Sequence, residues 1–315
     1  MRAIQFTEYG QPSVVHLTDT PVPRPGPGEI RIAVKASGVA PGEVAIRSGK
    51  LRDVVPVTFP FRTGFDAAGV VDELGTGVTG VQLGDEIFGM ASMTTRATNA
   101  DHAVLAHWAP KPAAWSWSEA GGAAGSVETA TRVLDRLEVG AGQTVLIQGA
   151  SGAVGTVAIQ LAAARGARVI GTASAGNHDL VRSLGAEPTT YGEGLIDRVR
   201  ALGPVHAVFD CAGGALPDLI ALTGDAARVV TIAPDFTAAA LGVHMSHSAP
   251  ADDTGEALGT SADPLAVHGL ALAVELANEG RLRIPVAATF PLPQAAAAHE
   301  LSETRHTGGK IVLVN

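Results

Sequence analysis

The stretch Thr144–Ser174 constrains the fold of this 315-residue chain more than any other part of it. It opens with the apolar run Val145–Ile147, which predicts a short buried strand. A glycine-rich turn follows, and the Ala- and Leu-rich composition predicts a helix over Ala153–Arg165. The β-branched run Arg168–Ala173 predicts a second strand. Strand, turn, helix and strand in this order make one βαβ unit.

The binding of a pyrophosphate would explain the glycines of the turn. A pyrophosphate binds where backbone N–H groups can approach it at the positive end of a helix, and Gly155 lets that helix lie close to the strand. Glycine-rich turns are common in a chain with 38 glycines, so a plain αβ turn is the alternative. Flanked by two strands and a helix, the motif predicts a dinucleotide site. Its predicted cofactor-binding residues are Gly149, Ala150, Ser151, Gly152, Ala153, Val154 and Gly155.

The end of the second strand bears on which dinucleotide binds. NAD sites usually carry Asp or Glu there to hold the ribose 2′-hydroxyl, and such a carboxylate repels a 2′-phosphate. Here the strand ends with Thr172, Ala173 and Ser174, and the next acid is Asp179 in the following helix. The sequence therefore favours NADPH, with Thr172 and Ser174 among the predicted cofactor-binding residues.

The net charge, the apolar runs and the cysteine count limit which partners and which cellular compartment are expected. The net charge of −9 argues against nucleic acid or an anionic membrane as the main partner. No apolar run approaches the length that crosses a bilayer, and the first residues lack the segments of a signal peptide. Cys211 is the one cysteine, so no disulfide framework forms within the chain. We expect a cytoplasmic protein with a small-molecule substrate.

Two domains are expected. Residues 1–117 alternate short apolar runs with Pro/Gly connectors, which predicts an irregular β-barrel-like domain. Residues 118–260 alternate helices and strands, which predicts a doubly wound parallel sheet of the α/β class. Residues 261–315 are assigned to the first domain again. The strand candidates of the first domain are Ile4–Phe6, Val14–Leu17, Ile30–Ala36, Gly69–Val71, Val81–Gln82 and Ile87–Phe88.

Further elements are predicted along the rest of the chain. The stretch 113–137 has Ala-rich helical spacing, and 233–263, without a clear period, is predicted as a strand edge and a loop. The other predicted helices are Asp179–Leu184, Leu216–Leu222 and Leu265–Asn278, and the other predicted strands are Val205–Asp210, Arg228–Ile232 and Gly308–Val314.

Nine segments together resemble one protein family. They are MRAIQFTEYG at the start, VPRPGPGEI at 22–30, AIRSG at 45–49, GFDAAGVV at 64–71, VLIQGASGAVG at 145–155, VRSLGAE at 181–187, VFDCAGG at 208–214, RVVTIA at 228–233 and GGKIVL at 308–313. The chain resembles the medium-chain dehydrogenase/reductase superfamily in its zinc-free quinone oxidoreductase (zeta-crystallin-like) branch. The resemblance spans nearly the whole chain and implies a GroES-like catalytic domain beside a Rossmann domain that binds NADPH.

The resemblance also implies that no metal is bound. Zinc-bearing relatives have a cysteine near position 40 and a His-Glu pair where this chain has Phe65 and Asp66. They also carry a four-cysteine lobe, which one cysteine cannot supply, and catalytic zinc needs three protein ligands. His244 and His247 form an HxxH pair without a nearby third ligand in the sequence, so coincidence is favoured.

On the substrate side, the resemblance implies hydride transfer to a quinone or an α,β-unsaturated carbonyl. Relatives often have Asn-Pro-x-Asp before the RSG motif and a Tyr two residues before its Arg. This chain has Ala-Pro-Gly-Glu at 40–43 and Ala45, which puts a quinone substrate in doubt. An enoyl or enone reductase of secondary metabolism is one alternative. A cofactor-binding protein with little catalysis, a redox sensor or a structural protein, is another. No catalytic residue is assigned, and the candidates for the substrate cleft are Ala40, Glu43, Arg47, Phe65 and Thr129.

The resemblance adds residues on the cofactor side. Relatives often have Lys or Arg after the second strand, where this chain has Gly176, Asn177 and His178, so NADPH affinity is expected to be moderate. Tyr191 matches a Tyr that approaches the 2′-phosphate, and Thr129 matches a Thr at the nicotinamide end. Further cofactor-binding predictions are Asn177, Cys211, Ala212 and Gly213, whereas Lys310 is expected at the surface.

Assembly is also implied by the resemblance. Relatives commonly dimerise by joining the edge strands of their Rossmann sheets, and the matching segment here is Leu241–His247. It is apolar and contains no proline, so pairing across a two-fold axis would protect an otherwise open edge. The alternative is a monomer in which the loop at 248–263 covers that edge. A homodimer is favoured.

Overall fold

The computed structural model describes residues 1–92, 95–247, 262–305 and 307–315. Unit 1 comprises Met1–Ser126 and Val267–Asn315, and unit 2 comprises Val127–Ala266. The sequence predicts domain boundaries at 117/118 and 260/261. The first falls at the beginning of a helix, and the second lies in 248–261, outside the described residues.

Strands and helices are numbered in chain order. The strands are β1 (Arg2–Phe6), β2 (His16–Asp19), β3 (Ile30–Val39), β4 (Phe61–Arg62), β5 (Asp66–Leu74), β6 (Glu86–Met90), β7 (His102–Leu105), β8 (His107–Pro110), β9 (Thr144–Gln148), β10 (Arg168–Thr172), β11 (Glu187–Thr189), β12 (Ala207–Asp210), β13 (Val229–Thr231), β14 (His244–Met245), β15 (Val286–Pro291) and β16 (Lys310–Val314). The helices are α1 (Pro41–Arg47), α2 (Trp117–Gly121), α3 (Ala124–Arg136), α4 (Ala153–Ala164), α5 (His178–Ser183), α6 (Leu195–Leu202), α7 (Leu216–Thr223), α8 (His268–Asn278) and α9 (Ala295–Glu303).

Unit 1 is built on two sheets. A three-stranded antiparallel sheet has the order β2–β1–β4, and a seven-stranded sheet has the order β15–β16–β3–β5–β6–β8, with β7 also paired to β3. Strand β3 shows why the second sheet forms. Ile30, Ile32 and Val34 alternate with less buried residues, so one face of the strand packs into a core with Val71 and Leu105.

Unit 2 is a parallel sheet in the order β11–β10–β9–β12–β13–β14. All five residues of β9 are buried, as a strand covered on both faces requires. The chain moves outward from β9 in one direction and then in the other, so the order reverses between β9 and β12. Ligands of such doubly wound folds bind at the carboxyl ends of the strands beside this reversal. The predicted fold class is confirmed.

The βαβ unit has nearly its predicted bounds, whereas some predicted elements of unit 1 do not form. Val81–Gln82 is not a strand, because it lies between Gly80 and Gly84, which both have positive φ angles. The predicted strand Val14–Leu17 is shifted, since Pro12–Val14 forms a 3₁₀ turn before β2 begins. The Ala-rich stretch 113–137 holds two helices rather than one.

Other elements depart from prediction in extent or were missed. The predicted helix Leu265–Asn278 begins later, as α8. Within the described part of 233–263, the predicted strand edge is the short β14. Sequence analysis did not predict α1, α6, α9, β4, β7, β8, β11 or β15. Among the described residues, no helix combines the length and apolarity needed to cross a membrane.

Candidate functional site

The glycine turn of unit 2 is tied to the end of β10. Gly149 has a φ of +75°, which only glycine adopts readily. Its N–H donates to Thr172 Oγ1 at 3.1 Å, and the N–H of Ala150 donates to the Thr172 carbonyl at 2.9 Å. A Cβ added at Gly155 would lie 2.3 Å from the carbonyl oxygen of Gly149. Only glycine at 155 therefore lets α4 approach the turn this closely.

The N-terminus of α4 is open toward a ligand. Gly152 is its N-cap, in an extended conformation, and no described side chain caps the helix there. The first N–H groups of a helix have no acceptor within the helix, and the helix dipole adds positive charge at this end. A Cβ added at Gly152 would meet only the Gly149 carbonyl oxygen, at 3.3 Å. These features fit the pyrophosphate of a dinucleotide.

Three of the predicted cofactor residues meet beside this turn. The Asn177 side-chain amide donates to Ser151 Oγ at 3.3 Å and to Ser174 Oγ at 3.2 Å. The next carboxylate along the chain, Asp179, is exposed and accepts a 2.7 Å hydrogen bond from Arg182. Tyr191 lies beyond β11 and is 54% exposed. The cluster at the end of β10 therefore presents hydroxyl and amide groups without a carboxylate of its own.

The turn after β12 is shaped by a buried carboxylate that sequence analysis missed. Asp210 Oδ1 accepts hydrogen bonds from the N–H groups of Ala212 and Gly213, each at 2.9 Å. Its Oδ2 accepts from Thr231 Oγ1 at 2.8 Å. A Cβ on Gly149 would lie 3.1 Å from Ala212 Cβ, so the two predicted turns meet at the reversal of the sheet. The strand-end position of Asp210 was the available signal for its role.

Two further side chains lie at the same edge. The N–H of Cys211 donates to the Gln148 carbonyl, and burial, with Asp210 nearby, raises the pKa of the Cys211 thiol well above its usual range. The thiolate form of Cys211 is therefore disfavoured. Gln148 Oε1 is buried and accepts no hydrogen bond within the described part of the chain. This oxygen is left available as a hydrogen-bond acceptor at this edge, a second observation that fits a dinucleotide.

Thr129, predicted near the nicotinamide end, belongs to a polar network on α3. Its hydroxyl donates to Glu128 Oε2 at 3.3 Å. The buried Glu128 also accepts from Arg132, which donates in turn to Ser246. The network thus links α3 to the residue that follows β14.

Asp263, which follows the segment 248–261 in the sequence, completes this network. Burial alone would raise the pKa of Asp263, but hydrogen bonds from His244 and Ser246 outweigh it and bring the pKa to about 2. Arg136 also pairs with its carboxylate at 2.9 Å. The Asp263 N–H donates to the carbonyl of His247 at 2.9 Å. His244 of the HxxH pair is therefore engaged by a carboxylate.

In unit 1, Glu43 is a buried carboxyl group on α1, only 2% exposed. Its Oε1 accepts from the Gly64 N–H at 2.6 Å, and its Oε2 accepts from the Ala40 N–H at 3.3 Å. Burial raises the pKa of Glu43 and the charge of Arg96 opposes that rise. Two of the predicted substrate-cleft residues, Ala40 and Glu43, are thus joined through the start of α1.

Asp66 forms the second buried charge of this region. Its Oδ2 lies 3.2 Å from Lys310 Nζ, and both side chains are at most 5% exposed. The Gly125 N–H donates to the same oxygen at 3.2 Å. A Cβ at Gly38 would lie 2.3 Å from Asp66 Oδ1, so the carboxylate needs glycine there. The expectation that Lys310 lies at the surface is wrong, because it neutralises Asp66 in the interior.

The predicted substrate-cleft residue Arg47 is fully buried. Its guanidinium pairs with Glu303 of α9 and donates to the Gly10 carbonyl at 2.6 Å. Burial, together with the nearby charge of Arg47, lowers the pKa of His299 to about 4. Glu303 therefore neutralises the charge of Arg47, and this ion pair holds α1 against α9.

Phe65, the fifth predicted substrate-cleft residue, packs against a cation. The guanidinium carbon of Arg96 lies 5.7 Å from the centre of the Phe65 ring. No signal in the sequence singled out Arg96, which is 31 positions away from Phe65 in a loop. Across the ranges described above, no group of three or more His, Cys, Asp or Glu residues is placed to hold a metal ion.

Comparisons with known proteins agree with this architecture. A family model described as an alcohol dehydrogenase GroES-like domain matches residues 26–137, and one described as a zinc-binding dehydrogenase matches residues 184–313. The chain is 36% identical over 201 residues to the spectinabilin polyketide synthase system protein NorB of Streptomyces orinoci. That alignment covers 63% of this chain but only 9% of NorB.

Solved structures match over the full chain. The quinone oxidoreductase of Coxiella burnetii has a TM-score of 0.78 and 30% identity, with 100% of this chain and 99% of that chain covered. Mycobacterial Rv1454c complexed with NADPH has a TM-score of 0.79 and 27% identity, with both chains fully covered at 100%. The chain therefore belongs to the medium-chain dehydrogenase/reductase superfamily, in its quinone oxidoreductase (zeta-crystallin-like) branch.

Proposed function

We propose that this protein is a zinc-independent, NADPH-dependent oxidoreductase that transfers hydride to a quinone or an α,β-unsaturated carbonyl compound. The observation that carries the proposal is the glycine turn at the reversal of the unit 2 sheet, where α4 begins without a side-chain cap. Membership of the quinone oxidoreductase branch and the NADPH complex of mycobacterial Rv1454c support the reaction class.

The preference for NADPH rests on the end of β10. A carboxylate there would exclude a 2′-phosphate, whereas the hydroxyl of Ser174 and the amide of Asn177 are available as donors. The fixed cation that usually holds such a phosphate has no counterpart at Gly176. We expect a preference for NADPH of roughly tenfold, about 1.4 kcal/mol. Steady-state kinetics in which NADH serves as well as NADPH would contradict this.

The chain's own residues bind and orient in this reaction. The backbone N–H groups at the start of α4 bind the pyrophosphate, and Ser174 and Asn177 bind the ribose phosphate. Bound NADPH supplies the hydride. Both oxygens of the Glu43 carboxyl group are engaged by backbone N–H groups, and we assign the final protonation to water.

The side chains that could serve as metal ligands support zinc independence. Phe65 cannot ligate a metal, and the one cysteine, Cys211, has the high pKa that burial confers. His244 is committed to Asp263. We expect less than a tenth of an equivalent of zinc in the purified protein, on the order of background, and activity that persists in chelator. One tightly held zinc per chain, by elemental analysis, would overturn this part of the proposal.

A second candidate is an enoyl or enone reductase of secondary metabolism. The match to a polyketide synthase system protein favours it. The two candidates separate on acceptor class, because an enoyl reductase would prefer an α,β-unsaturated thioester to a quinone. The third candidate is a cofactor-binding protein with little catalytic activity. It predicts that NADPH binds but is not consumed.

One experiment decides among these. NADPH binding is measured by fluorescence, and NADPH consumption is followed with a panel of quinones, enones and enoyl thioesters. We expect binding together with turnover of at least one class of acceptor. Binding without turnover across the panel would support the sensor or structural reading, and absence of binding would overturn all three.

We propose further that the protein is a homodimer joined through β14. This strand ends the order of the unit 2 sheet and pairs with β13 on one side, and no described strand pairs on its other side. The predicted covering loop, 248–263, falls mostly outside the described residues. Light scattering at micromolar concentration should give twice the chain mass of 31.9 kDa. The mass of one chain would contradict the dimer.

A further inference from the structure

Unit 1 holds a guanidinium whose described contacts leave its N–H donors available. Arg96 is half-buried, its guanidinium faces the Phe65 ring at 5.7 Å, and Glu43 attracts it electrostatically. A ring face draws a cation without accepting its hydrogen bonds in the plane of the guanidinium. Both oxygens of Glu43 already accept from Gly64 and Ala40. Within the described residues, no oxygen atom accepts a hydrogen bond from the Arg96 side chain.

The backbone holds Arg96 in an unusual conformation. Its φ angle is +42° and that of Ala97 is +73°, so two successive non-glycine residues are left-handed. Such residues persist only where the surroundings fix them, and they concentrate at functional sites. On the N-terminal side, the N–H of Arg96 donates to the carbonyl of Ser92 at 3.0 Å. A simple surface loop would relax from this geometry.

Anchoring on the C-terminal side is stronger. The N–H of Thr98 donates to the Gly64 carbonyl at 3.3 Å, and that of Asn99 donates to the Thr63 carbonyl at 3.2 Å. The Thr98 hydroxyl also donates to the Asp66 carbonyl. A Cβ at Gly64 would lie 2.2 Å from the Asn99 N atom. The loop is thus fastened to the residues that flank Phe65, which fixes the guanidinium over the ring.

We propose that Arg96 is a catalytic residue that binds the carbonyl oxygen of the acceptor and stabilises the negative charge that hydride transfer places on it. This inference rests on the proposed hydride transfer. It adds the group that stabilises the negative charge which that transfer creates on the acceptor oxygen. The buried carboxyl of Glu43 attracts the guanidinium electrostatically, and its two oxygens accept hydrogen bonds from backbone N–H groups. A fixed cation in a partly water-excluded site lowers the barrier to a reaction that creates an oxyanion.

With an enone as the acceptor, bound NADPH would supply a hydride that forms a C–H bond at the β-carbon of the acceptor, and NADPH would be oxidised to NADP⁺. The C=C electron pair moves to the bond between the α-carbon and the carbonyl carbon, and the carbonyl electron pair moves to oxygen. The acceptor would become an enolate, whose oxygen Arg96 holds. Water then gives a proton to the α-carbon, which yields the saturated ketone.

The test replaces Arg96 and keeps the rest of unit 1. Arg96→Gln removes the charge, and Arg96→Lys keeps it without the planar fork of donors. Arg52→Gln is the matched control, because Arg52 lies in the same unit with its side chain 66% exposed. With the best acceptor of the wild-type panel, kcat of Arg96→Gln should fall about a hundredfold, the effect of losing one oxyanion donor. Arg96→Lys should recover at least a third of that loss on a logarithmic scale, roughly fivefold.

Two further readouts separate this role from a structural one. Affinity for NADPH, by fluorescence titration, should stay within about twofold of the wild type in every variant. Methylguanidine added at millimolar concentration should raise kcat of Arg96→Gln but not of wild type. A kcat for Arg96→Gln within about threefold of wild type would overturn the proposal. So would an equal loss in the Arg52→Gln control.

A binding measurement keeps the inference independent of turnover. Benzoate, a planar anion, should bind the wild type measurably in calorimetry and at least about tenfold more weakly to Arg96→Gln. Equal benzoate binding by the two proteins, or none by the wild type, would overturn the oxyanion site. A wild type that binds benzoate through Arg96 yet consumes NADPH with no acceptor would contradict the proposed function alone. Circular dichroism establishes that each variant is folded.

Discussion

The two units prepare their candidate sites by different means. In unit 2 the groups of the candidate site are mostly backbone. The turn at 149–155 presents N–H groups and one helix end, with glycine where a side chain would obstruct. In unit 1 the corresponding groups are charges held in the interior, such as the Asp66–Lys310 pair and the Glu43 carboxyl. The candidate site of unit 2 therefore depends on open space at the turn and on the direction of the helix that begins there. The candidate site of unit 1 depends on the pairing of buried charges.

This difference has a consequence for what each site tolerates. Removing a partner from a buried pair leaves an uncompensated charge, so unit 1 should respond to substitution mainly through its stability. Adding a side chain to the open turn at Gly152 should cost little stability but should displace a ligand. The four variants that follow test this contrast, from the largest expected effect to the smallest.

The largest effect is expected from Lys310→Met. This change leaves the Asp66 carboxylate buried without its cation, so unfolding free energy should fall by about 3–5 kcal/mol in urea titrations. The double variant Asp66→Asn/Lys310→Met should recover most of the loss, because it removes both charges at similar volume. NADPH affinity of the folded single variant should stay near that of wild type. A loss below about 1 kcal/mol would contradict the contrast between the units.

Asp263→Asn tests a charged network in unit 2 that lies apart from the glycine turn. The pKa of Asp263 is depressed to about 2 from the usual 3.8 of an aspartate. Its stabilising contribution is therefore present above pH 4 and is lost as pH falls toward 2. The variant should be about 2 kcal/mol less stable than wild type at pH 7. That difference should shrink between pH 4 and 2.

The measurement for Asp263→Asn is urea unfolding at a series of pH values, with NADPH titration at pH 7 beside it. NADPH affinity should not change, because none of the groups that contact Asp263 belongs to the turn. A stability difference that stays constant from pH 7 to pH 2 would show that the carboxylate charge is not what stabilises this network.

Gly152→Val tests the turn itself. Gly152 has φ −75° and ψ 173°, which valine adopts without strain, so the fold should persist. The branched side chain would occupy the space of the pyrophosphate, and NADPH affinity should fall about tenfold or more, about 1.4 kcal/mol. Gly140→Val is the control, since a Cβ there meets nothing within 4 Å. Unchanged NADPH affinity in a folded Gly152→Val would remove the phosphate from this turn.

Gly176→Arg has the smallest expected effect. A Cβ at Gly176 meets nothing within 4 Å, so there is room for the new side chain. Its charge should strengthen NADPH binding about fivefold through charge-assisted hydrogen bonds and leave NADH nearly unchanged. Gly176→Gln controls for size without charge. If both cofactors gain equally, or neither gains, the 2′-phosphate does not lie near this residue.

The same contrast explains how much the sequence could predict. The βαβ unit was predicted nearly to its bounds because its strand, turn and helix are contiguous and each has its own local pattern. The open turn at Gly152 and the contact of Ser151 and Ser174 with Asn177 follow from that local order. Fold class was predictable for the same reason.

The charges of unit 1 could not be predicted in this way. Lys310 meets Asp66 across 244 positions of chain, and no local pattern records such a pairing. Arg96 reaches Phe65 because the N–H groups of Thr98 and Asn99 donate to the carbonyls of Gly64 and Thr63, just before Phe65. A polar loop sequence predicts no such fixed geometry. Arg47 was assigned to the substrate cleft from the RSG motif, whereas its partner Glu303 lies in α9, a helix that was not predicted.

The network around Asp263 also bears on how the length of this chain can vary. Asp263 N and the His247 carbonyl oxygen are 2.9 Å apart, so the polypeptide returns at residue 263 to the point it leaves at 247. The entropy of closing a loop grows only with the logarithm of its length, by about 0.6 kcal/mol for each doubling. The closure entropy of the chain between these two residues should therefore change little when its length changes.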